Sequence, residues 1–359
     1  MLRRSIAHKQ AERARRLQFW QRSIRRTLIS LLAGTILCWL LLSPTATATN
    51  RNFSSFAVFG DSLSDTGNAF NRTGRPPQPY ANGRFANGPI WIDRLSAEFK
   101  LTLTPITAIS SGNTLPSINF AFGGATTGAG GNSNQLSGVQ QQVDLFASRL
   151  GRQQADADAL YFVWAGANDY LGGRTLDADE PIANLTAAIT TLIEQGARHL
   201  VVANLPSLGQ LPATRNRENA AVLNRLTHQH NQQLAAAIAA LNQRQGVEVL
   251  LLDVNALFDR AVAGEFGFTN VTEPCLNPQT GRVCPNPDRY LFWDGIHPTA
   301  AAHQRISAAA LSLISLGESS PQPQGQLPQP MVFVGILLVS GLGVAALAAQ
   351  NKSTARRRH

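Results

Sequence analysis

The amino-acid sequence predicts an α/β fold built on a parallel sheet of five strands with helices on both faces. Two observations predict it. Five short runs in the central part of the chain are apolar throughout and rich in β-branched or aromatic residues, as expected for strands that are covered on both sides. Longer segments with helical patterns separate these runs. This alternation is typical of βαβ units in a parallel sheet.

The predicted strands and helices alternate along residues 49–317, which we expect to form one domain. Strands are predicted at 56–59, 117–122, 159–165, 199–205 and 247–254. Helices are predicted at 88–99, 136–150, 181–196, 218–245 and 298–314. Pro181 suits a first helical turn and Gly196 suits a C-cap. Ligands of open parallel sheets bind at the carboxyl ends of the strands, so the residues that directly follow each strand are the candidates for a functional site.

The N-terminal residues 1–48 have the composition of a signal peptide. Nine Lys/Arg within the first 26 residues precede the apolar run 28–42, and small residues follow it. This order is typical of a secretory signal, with cleavage predicted after Ala48. An uncleaved signal anchor is the alternative, although a run of about 15 apolar residues is short for a membrane span.

The C-terminal residues predict a membrane tether. A Pro/Gln-rich linker at 318–330 leads into 331–349, which carry no charge and are followed by the basic tail 350–359. At 1.5 Å per residue the uncharged segment is about 30 Å long, the thickness of a hydrocarbon core. We therefore expect a transmembrane helix with the tail in the cytoplasm and the catalytic domain outside it, or a secreted or cell-surface protein if the tail is processed.

The basic residues are concentrated at the two ends of the chain. The net charge is +9, yet residues 51–316 contain 18 Lys/Arg and 20 Asp/Glu. The overall basicity therefore orients the chain in a membrane and gives no reason to expect nucleic-acid binding.

Two cysteines remain in the part predicted to be exported, Cys275 and Cys284. In an exported protein, a pair across a turn-rich loop predicts a disulfide, with two free buried thiols as the alternative. A zinc site is disfavoured because no His or second Cys pair flanks them at ligand spacing.

Suggestive polar residues and glycines follow three of the predicted strands. Ser62 follows the first strand, Gly123 and Gly124 follow the second, and Asn168 follows the third. A serine is a possible nucleophile, and a backbone N–H or an amide side chain can stabilise an oxyanion. Taken singly, each of these residues is explained equally well as a helix cap or a turn.

A possible general base lies near the C-terminal end of the domain, where Asp294 and His297 are three residues apart in a loop before the last helix. A serine nucleophile needs an imidazole within hydrogen-bond reach and a carboxylate on the other ring nitrogen. His303, in the last helix, is the competing candidate. The chain contains no G-x-S-x-G and no H-E-x-x-H, which disfavours an α/β-hydrolase of the common type and a zincin.

In order along the chain, "FGDSLSDTGN", "NFAFGGATTG", "GAND" and "DGIHPT" resemble the blocks of the GDSL esterase/lipase group of the SGNH hydrolase superfamily. The resemblance implies a three-layer α/β/α, flavodoxin-like domain. It also implies that Ser62 is the nucleophile, that His297 is the base oriented by Asp294, and that the N–H groups of Ser62 and Gly124 with the side chain of Asn168 form the oxyanion hole. No metal or organic cofactor is expected.

The resemblance leads us to expect an exported, membrane-tethered serine ester hydrolase. Two alternatives are a polysaccharide O-acetyl esterase or a phospholipase on the same scaffold, and a non-catalytic surface binding protein is a third. The sequence does not choose among small-molecule, lipid and sugar esters. The C-terminal end resembles bacterial Pro-Glu-Pro sorting tails, with Gln329 in place of Glu, so sorting machinery is a possible partner. Asp61, Asp65 and Asp169 are expected to hold the loops through Asx-type hydrogen bonds.

Overall fold

A computed structural model of the protein describes residues 52–110, 117–131, 137–277 and 279–317. The predicted signal peptide, linker, transmembrane helix and basic tail lie outside these residues, so those four assignments stay predictions. Among the helices within the described ranges, none is long and apolar enough to cross a membrane.

The central sheet has six parallel strands, where the sequence predicts five. The strands are β1 (Phe56–Gly60), β2 (Thr104–Pro105), β3 (Ile118–Asn119), β4 (Leu160–Trp164), β5 (His199–Ala203) and β6 (Glu248–Leu252). Their order across the sheet is β2-β3-β1-β4-β5-β6, and every neighbouring pair is parallel.

The additional strand, β2, is a two-residue strand at the edge of the sheet. Thr104 pairs with Ile118 and Pro105 with Asn119. A proline is tolerated there because an edge strand need not donate on its outer side. A two-residue strand has no apolar run or alternation, so the sequence gives no signal for it.

The predicted strand 117–122 is also shorter than expected, although its backbone continues to follow β1. Only Ile118–Asn119 belong to the ladder. Beyond them, the N–H groups of Phe120 and Phe122 still donate to the carbonyls of Val58 and Gly60.

The structure contains each of the five predicted helices, with ends shifted by a few residues. The helices are α1 (Asn68–Thr73), α2 (Trp91–Glu98), α3 (Val139–Leu150), α4 (Ala167–Leu171), α5 (Asp179–Gln195), α6 (Ala220–Leu241), α7 (Val254–Val262) and α8 (Ala300–Gly317). The sequence does not predict α1, α4 and α7. These have 6, 5 and 9 residues, too few for a clear helical period.

Two apolar cores lie on the two faces of the sheet, and together they give three layers. Along β1, Phe56 and Val58 belong to one core while Ala57 and Phe59 belong to the other, as the alternation of side chains in a strand requires. Helices α2, α7 and α8 contribute to the first core and α3 and α5 to the second, while the long helix α6 contributes to both. The predicted α/β/α arrangement is therefore confirmed.

If the short edge strand β2 is left aside, the strand order is β3-β1-β4-β5-β6, which is the flavodoxin-like order. The direction in which successive strands are added to the sheet reverses at β1. A crevice is expected at that point, between the loops that follow β1 and β4. Gly60 ends β1 there with a φ of 152°, and a Cβ on it would lie 2.2 Å from the carbonyl oxygen of Trp164. Only glycine allows this approach. The buried side chain of Gln142 both accepts from the N–H and donates to the carbonyl of Gly60.

A second, two-stranded parallel sheet leads the chain to the D-x-x-H loop. It consists of β7 (Asn270–Pro274) and β8 (Tyr290–Phe292). Between these strands the structure contains a disulfide that joins Cys275 and Cys284. The disulfide packs with Trp293, which directly precedes Asp294.

Candidate active site

Ser62, His297 and Asp294 form a hydrogen-bonded chain at the carboxyl end of β1. Oγ of Ser62 lies 2.9 Å from Nε2 of His297. On the other side of the ring, Nδ1 of His297 lies 2.7 Å from Oδ2 of Asp294. Ser62 is 8% exposed. The structure thus brings Ser62 together with Asp294 and His297, which lie more than 230 positions further along the chain, in the geometry that allows an imidazole to accept the serine proton.

The tight turn at Asp294 holds the carboxylate and the imidazole in place. The N–H groups of Ile296 and His297 both donate to Oδ1 of Asp294 at 2.7 Å. The N–H of Trp293 donates to the carbonyl of His297 at 2.7 Å. The other carboxylate oxygen, Oδ2, is therefore left to interact with the ring of His297.

The charges of Asp294 and His297 stabilise each other. Burial by itself raises the pKa of Asp294, but the nearby His297 and the backbone donors outweigh burial and lower the pKa to about 2. Burial by itself lowers the pKa of His297, but the charge and hydrogen bond of Asp294, with a contribution from Asp61, outweigh burial and raise it. The carboxylate thus favours the imidazolium that would form when Ser62 loses its proton.

The turn around Ser62 is held by two buried carboxylates. Oδ1 of Asp61 accepts from the N–H of Leu63 at 3.0 Å. Asp65 accepts four backbone hydrogen bonds, from the N–H groups of Gly67, Asn68, Ala69 and Gly123. Both residues hold the loop, as expected. Burial raises the pKa of Asp61 to about 7 and that of Asp65 to about 6.

Gly123 and Gly124 differ in their hydrogen bonding. The N–H of Gly123 donates to Oδ2 of Asp65 at 2.8 Å. For Gly124, which has a φ of 80°, no described residue accepts from the N–H. Of the two glycines, Gly124 is therefore the one whose N–H is available to a ligand.

The loop that contains Asn168 is tied to the loop that contains Gly124. Nδ2 of Asn168 donates to the carbonyl of Ala125 at 2.9 Å, which orients the amide. The carboxylate of Asp169 accepts from both the N–H and the hydroxyl of Thr127. The loops that follow β3 and β4 therefore form one hydrogen-bonded unit at the carboxyl edge of the sheet.

The competing histidine makes no hydrogen bond to Ser62 among the described residues. His303 is buried on α8, and no residue within the described ranges hydrogen-bonds to its Nδ1. Burial, with the nearby charges of His297 and Arg94, lowers the pKa of His303 to about 3. His303 is therefore a neutral residue of the core, close enough to His297 to interact with it electrostatically.

His230 has a buried position that the sequence did not reveal. Its Nδ1 lies 2.9 Å from the hydroxyl of Tyr170, and burial lowers its pKa to about 4. A Cβ on Gly166 would lie 2.6 Å from Cε1 of the His230 ring. The residue therefore supports the turn that presents Asn168. In the described ranges, no group of three or more His, Cys, Asp or Glu residues could hold a metal ion.

Sequence reasoning missed two aromatic residues of the loop between α1 and α2. The hydroxyl of Tyr80 donates to Oδ2 of Asp294 at 2.7 Å. The ring of Phe85 lies 5.2 Å from the ring of His297, and a Cβ on Gly123 would lie 2.3 Å from its Cε2. The sequence assigns neither residue a role, because both act through contacts with residues far along the chain.

Comparison with known proteins places these residues within one family match. The model of the GDSL-like lipase/acylhydrolase family matches residues 56–310. A GDSL esterase/lipase of Arabidopsis thaliana is 28% identical over 296 residues, which cover 67% of this chain and 77% of the relative. The phosphatidylcholine-sterol acyltransferase of Aeromonas hydrophila is 27% identical over 319 residues, which cover 73% of this chain and 90% of the relative.

Among solved structures, a member of the lipolytic protein G-D-S-L family from Veillonella parvula aligns with a TM-score of 0.42 and 17% identity. The alignment covers 73% of this chain and 98% of that protein.

Proposed function

This chain belongs to the GDSL-like lipase/acylhydrolase family, and from that membership we propose that Ser62 is the nucleophile of a serine ester hydrolase. That the protein is an enzyme acting on ester bonds follows from the family. The roles of individual residues are our proposal. The observation that carries it is the 2.9 Å distance between Oγ of Ser62 and Nε2 of His297, with Asp294 on the other ring nitrogen.

In the acylation step, Oγ of Ser62 attacks the ester carbonyl while Nε2 of His297 accepts the hydroxyl proton. Asp294 keeps Nδ1 protonated and stabilises the imidazolium. The tetrahedral intermediate then collapses. His297 returns its proton to the leaving alcohol, which leaves an acyl group on Ser62.

The oxyanion is stabilised by the N–H groups of Ser62 and Gly124 together with the side-chain amide of Asn168. Because the N–H of Gly123 already donates to Asp65, the N–H of Gly124 is the better candidate for this role. The bond from Asn168 to Ala125 supports a fixed orientation of the amide. Each such donor contributes about 3 kcal/mol to transition-state stabilisation.

In the deacylation step, His297 removes a proton from water, and the resulting nucleophile attacks the acyl-enzyme. The same donors stabilise the second tetrahedral intermediate. Ser62 recovers its proton from His297 as the acid leaves. Apart from the ester and the water, each of these steps uses side chains and backbone groups of this chain.

The substrate is proposed to be a carboxylic ester with an apolar acyl or alcohol part. Beside the reacting groups lies the half-buried ring of Phe85, which packs against His297. Ile296, next to His297 in the chain, is 38% exposed. Apolar surface at this position would favour burial of a hydrocarbon group.

The location of the enzyme is likewise a proposal. We propose export through the signal peptide 1–48, a hydrolase domain at 49–317 and a membrane tether at 331–349. The basic N-terminal region followed by an apolar run, and the uncharged C-terminal segment followed by basic residues, support this arrangement.

The test compares the full-length Ser62→Ala variant with the wild-type protein on p-nitrophenyl acetate and butyrate. We expect kcat to fall by at least about 10³-fold, while circular dichroism shows an unchanged fold. A fluorophosphonate probe should label the wild-type protein and not the variant. Ser148→Ala, at an exposed serine on α3, is the matched control and should keep full activity. Wild-type turnover by Ser62→Ala would refute the assignment.

A further inference from the structure

Tyr80 shares one carboxylate oxygen with His297. Its hydroxyl donates a 2.7 Å hydrogen bond to Oδ2 of Asp294, across 214 positions of the chain. Nδ1 of His297 lies 2.7 Å from the same oxygen. Oδ1 of Asp294 is already occupied by two backbone N–H groups. Tyr80 is thus the one side chain besides His297 that hydrogen-bonds to the carboxylate of Asp294 within the described residues.

Aromatic packing and a backbone hydrogen bond hold Tyr80 in place beside Asp294. Tyr80 packs edge-on against Trp293, with ring centroids 6.1 Å apart, and against Phe85, with centroids 6.4 Å apart. Its backbone N–H donates to the carbonyl of Pro77 at 3.1 Å. Because packing and backbone contacts hold the ring, little additional ordering is needed to direct the hydroxyl to Oδ2.

Charged and titratable groups on the D-x-x-H loop, the Ser62 turn and α8 act electrostatically on His297. Asp294 contacts its ring, and Asp61 on the Ser62 turn adds a second negative charge. On α8, His303 lies close enough to interact with it electrostatically, and Arg94 on α2 lies near His303. Tyr80 is the neutral donor in this group, and it acts on the residue that affects His297 most directly.

We propose that Tyr80 is a positioning residue that holds Asp294 and limits how strongly this carboxylate attracts the proton of His297. The inference rests on the proposed function, in which His297 is the base. A donor to Oδ2 takes up part of the carboxylate charge that would otherwise act on Nδ1. The base therefore stays deprotonated at a lower pH than Asp294 alone would allow, and its ring stays aligned with Ser62.

The test is the pH profile of kcat/KM for Tyr80→Phe, which removes the hydroxyl and keeps the ring. We expect the acid limb to move up by about 0.5–1 pH unit. We expect kcat at pH 8 to fall about 3–10-fold, with KM within twofold of the wild-type value. A purely structural role would lower stability without moving the limb.

Tyr290→Phe is the matched control. Tyr290 belongs to the same aromatic and disulfide cluster as Tyr80, but its hydroxyl makes no hydrogen bond to a described residue. The change removes the same atom from the same cluster, and the pH profile should stay at the wild-type position.

Site-specific incorporation of 3-fluorotyrosine at position 80 gives a second variant of nearly native shape. Its hydroxyl is a stronger donor, so the acid limb should move down, opposite to the shift in Tyr80→Phe. This variant keeps the test decisive if Tyr80→Phe does not fold. If Ser62→Ala is inactive and either folded variant at position 80 has its acid limb at the wild-type position, the proposal for Tyr80 is overturned. Activity that survives in Ser62→Ala overturns the proposed function instead.

Discussion

The N–H of Gly123 donates a 2.8 Å hydrogen bond to Oδ2 of Asp65 across 58 positions of the chain. The same carboxylate accepts three N–H groups at the start of α1. One buried side chain therefore connects the turn of the proposed nucleophile to the glycine pair that contains a proposed oxyanion donor.

Asp65→Asn should loosen this connection. The replacement turns one acceptor oxygen into an NH₂ group, which would face backbone donors on one side of the side chain. We expect the free energy of unfolding to fall by about 1–3 kcal/mol, because the two backbone donors left without an acceptor outweigh the relief of a buried carboxylate whose pKa is raised to about 6. We expect kcat to fall as Gly124 loses its fixed position. Urea unfolding and ester hydrolysis at pH 7.5 measure both effects. Asp144→Asn, at an exposed position on α3, is the control. Unchanged stability in Asp65→Asn would contradict the assigned role.

The two histidines near Ser62 should respond differently to truncation. His297→Ala removes the proposed base and should lower kcat by at least about 10³-fold, with little change in stability. His303→Ala removes a buried ring that makes no hydrogen bond to Ser62 among the described residues. It should cost about 2–4 kcal/mol of stability and leave kcat within about tenfold, as judged by thermal melts and turnover below the melting temperature. The reverse outcome would make His303 the base.

The acid limb of kcat/KM should lie above the ordinary pKa of histidine, about 6.5. Asp294 and Asp61 raise the pKa of His297 although its burial opposes them. A base must be neutral to accept the Ser62 proton, so activity is lost as the pH falls through this raised value. A pH series with p-nitrophenyl butyrate measures the limb. A limb well below pH 6.5 would exclude His297 as the titrating base.

Asp61→Asn should stabilise the protein increasingly as the pH rises above about 4, with the full gain reached near pH 7. Burial raises the pKa of Asp61 to about 7 in the folded state, against about 3.9 in the unfolded chain. The folded state binds the Asp61 proton more tightly, so the contribution of Asp61 to stability is fully present below about pH 4 and is lost as the pH rises to about 7. The variant should exceed the wild type by about 2–4 kcal/mol at pH 8 and match it near pH 4.

The carboxamide oxygen of the Asp61→Asn variant still accepts from the N–H of Leu63, so the turn is retained. The lost charge should also move the acid limb of kcat/KM down, because Asp61 contributes to the raised pKa of His297. An equal gain in stability at pH 4 and pH 8 would contradict this account of Asp61.

The regular elements of the domain are predictable because their signals are local. A strand covered on both faces is a short apolar run, and β4 and β5 lie within the predicted runs 159–165 and 199–205. The edge strand β2 and the short helices α1 and α4 give no such signal. The strand β2 exists because β3 pairs with it, and α1 begins where the carboxylate of Asp65 accepts its first N–H groups.

By itself, the sequence determined the α/β class and the residues that follow the strands, because both depend on patterns within a few positions. Only the tertiary structure decided that His297 and not His303 lies beside Ser62, that Gly123 and not Gly124 donates to Asp65, and that Tyr80 reaches Asp294. These are hydrogen bonds between side chains and loops 58 to 235 positions apart. Their partners are chosen by how the chain packs around the sheet, which no local spacing encodes.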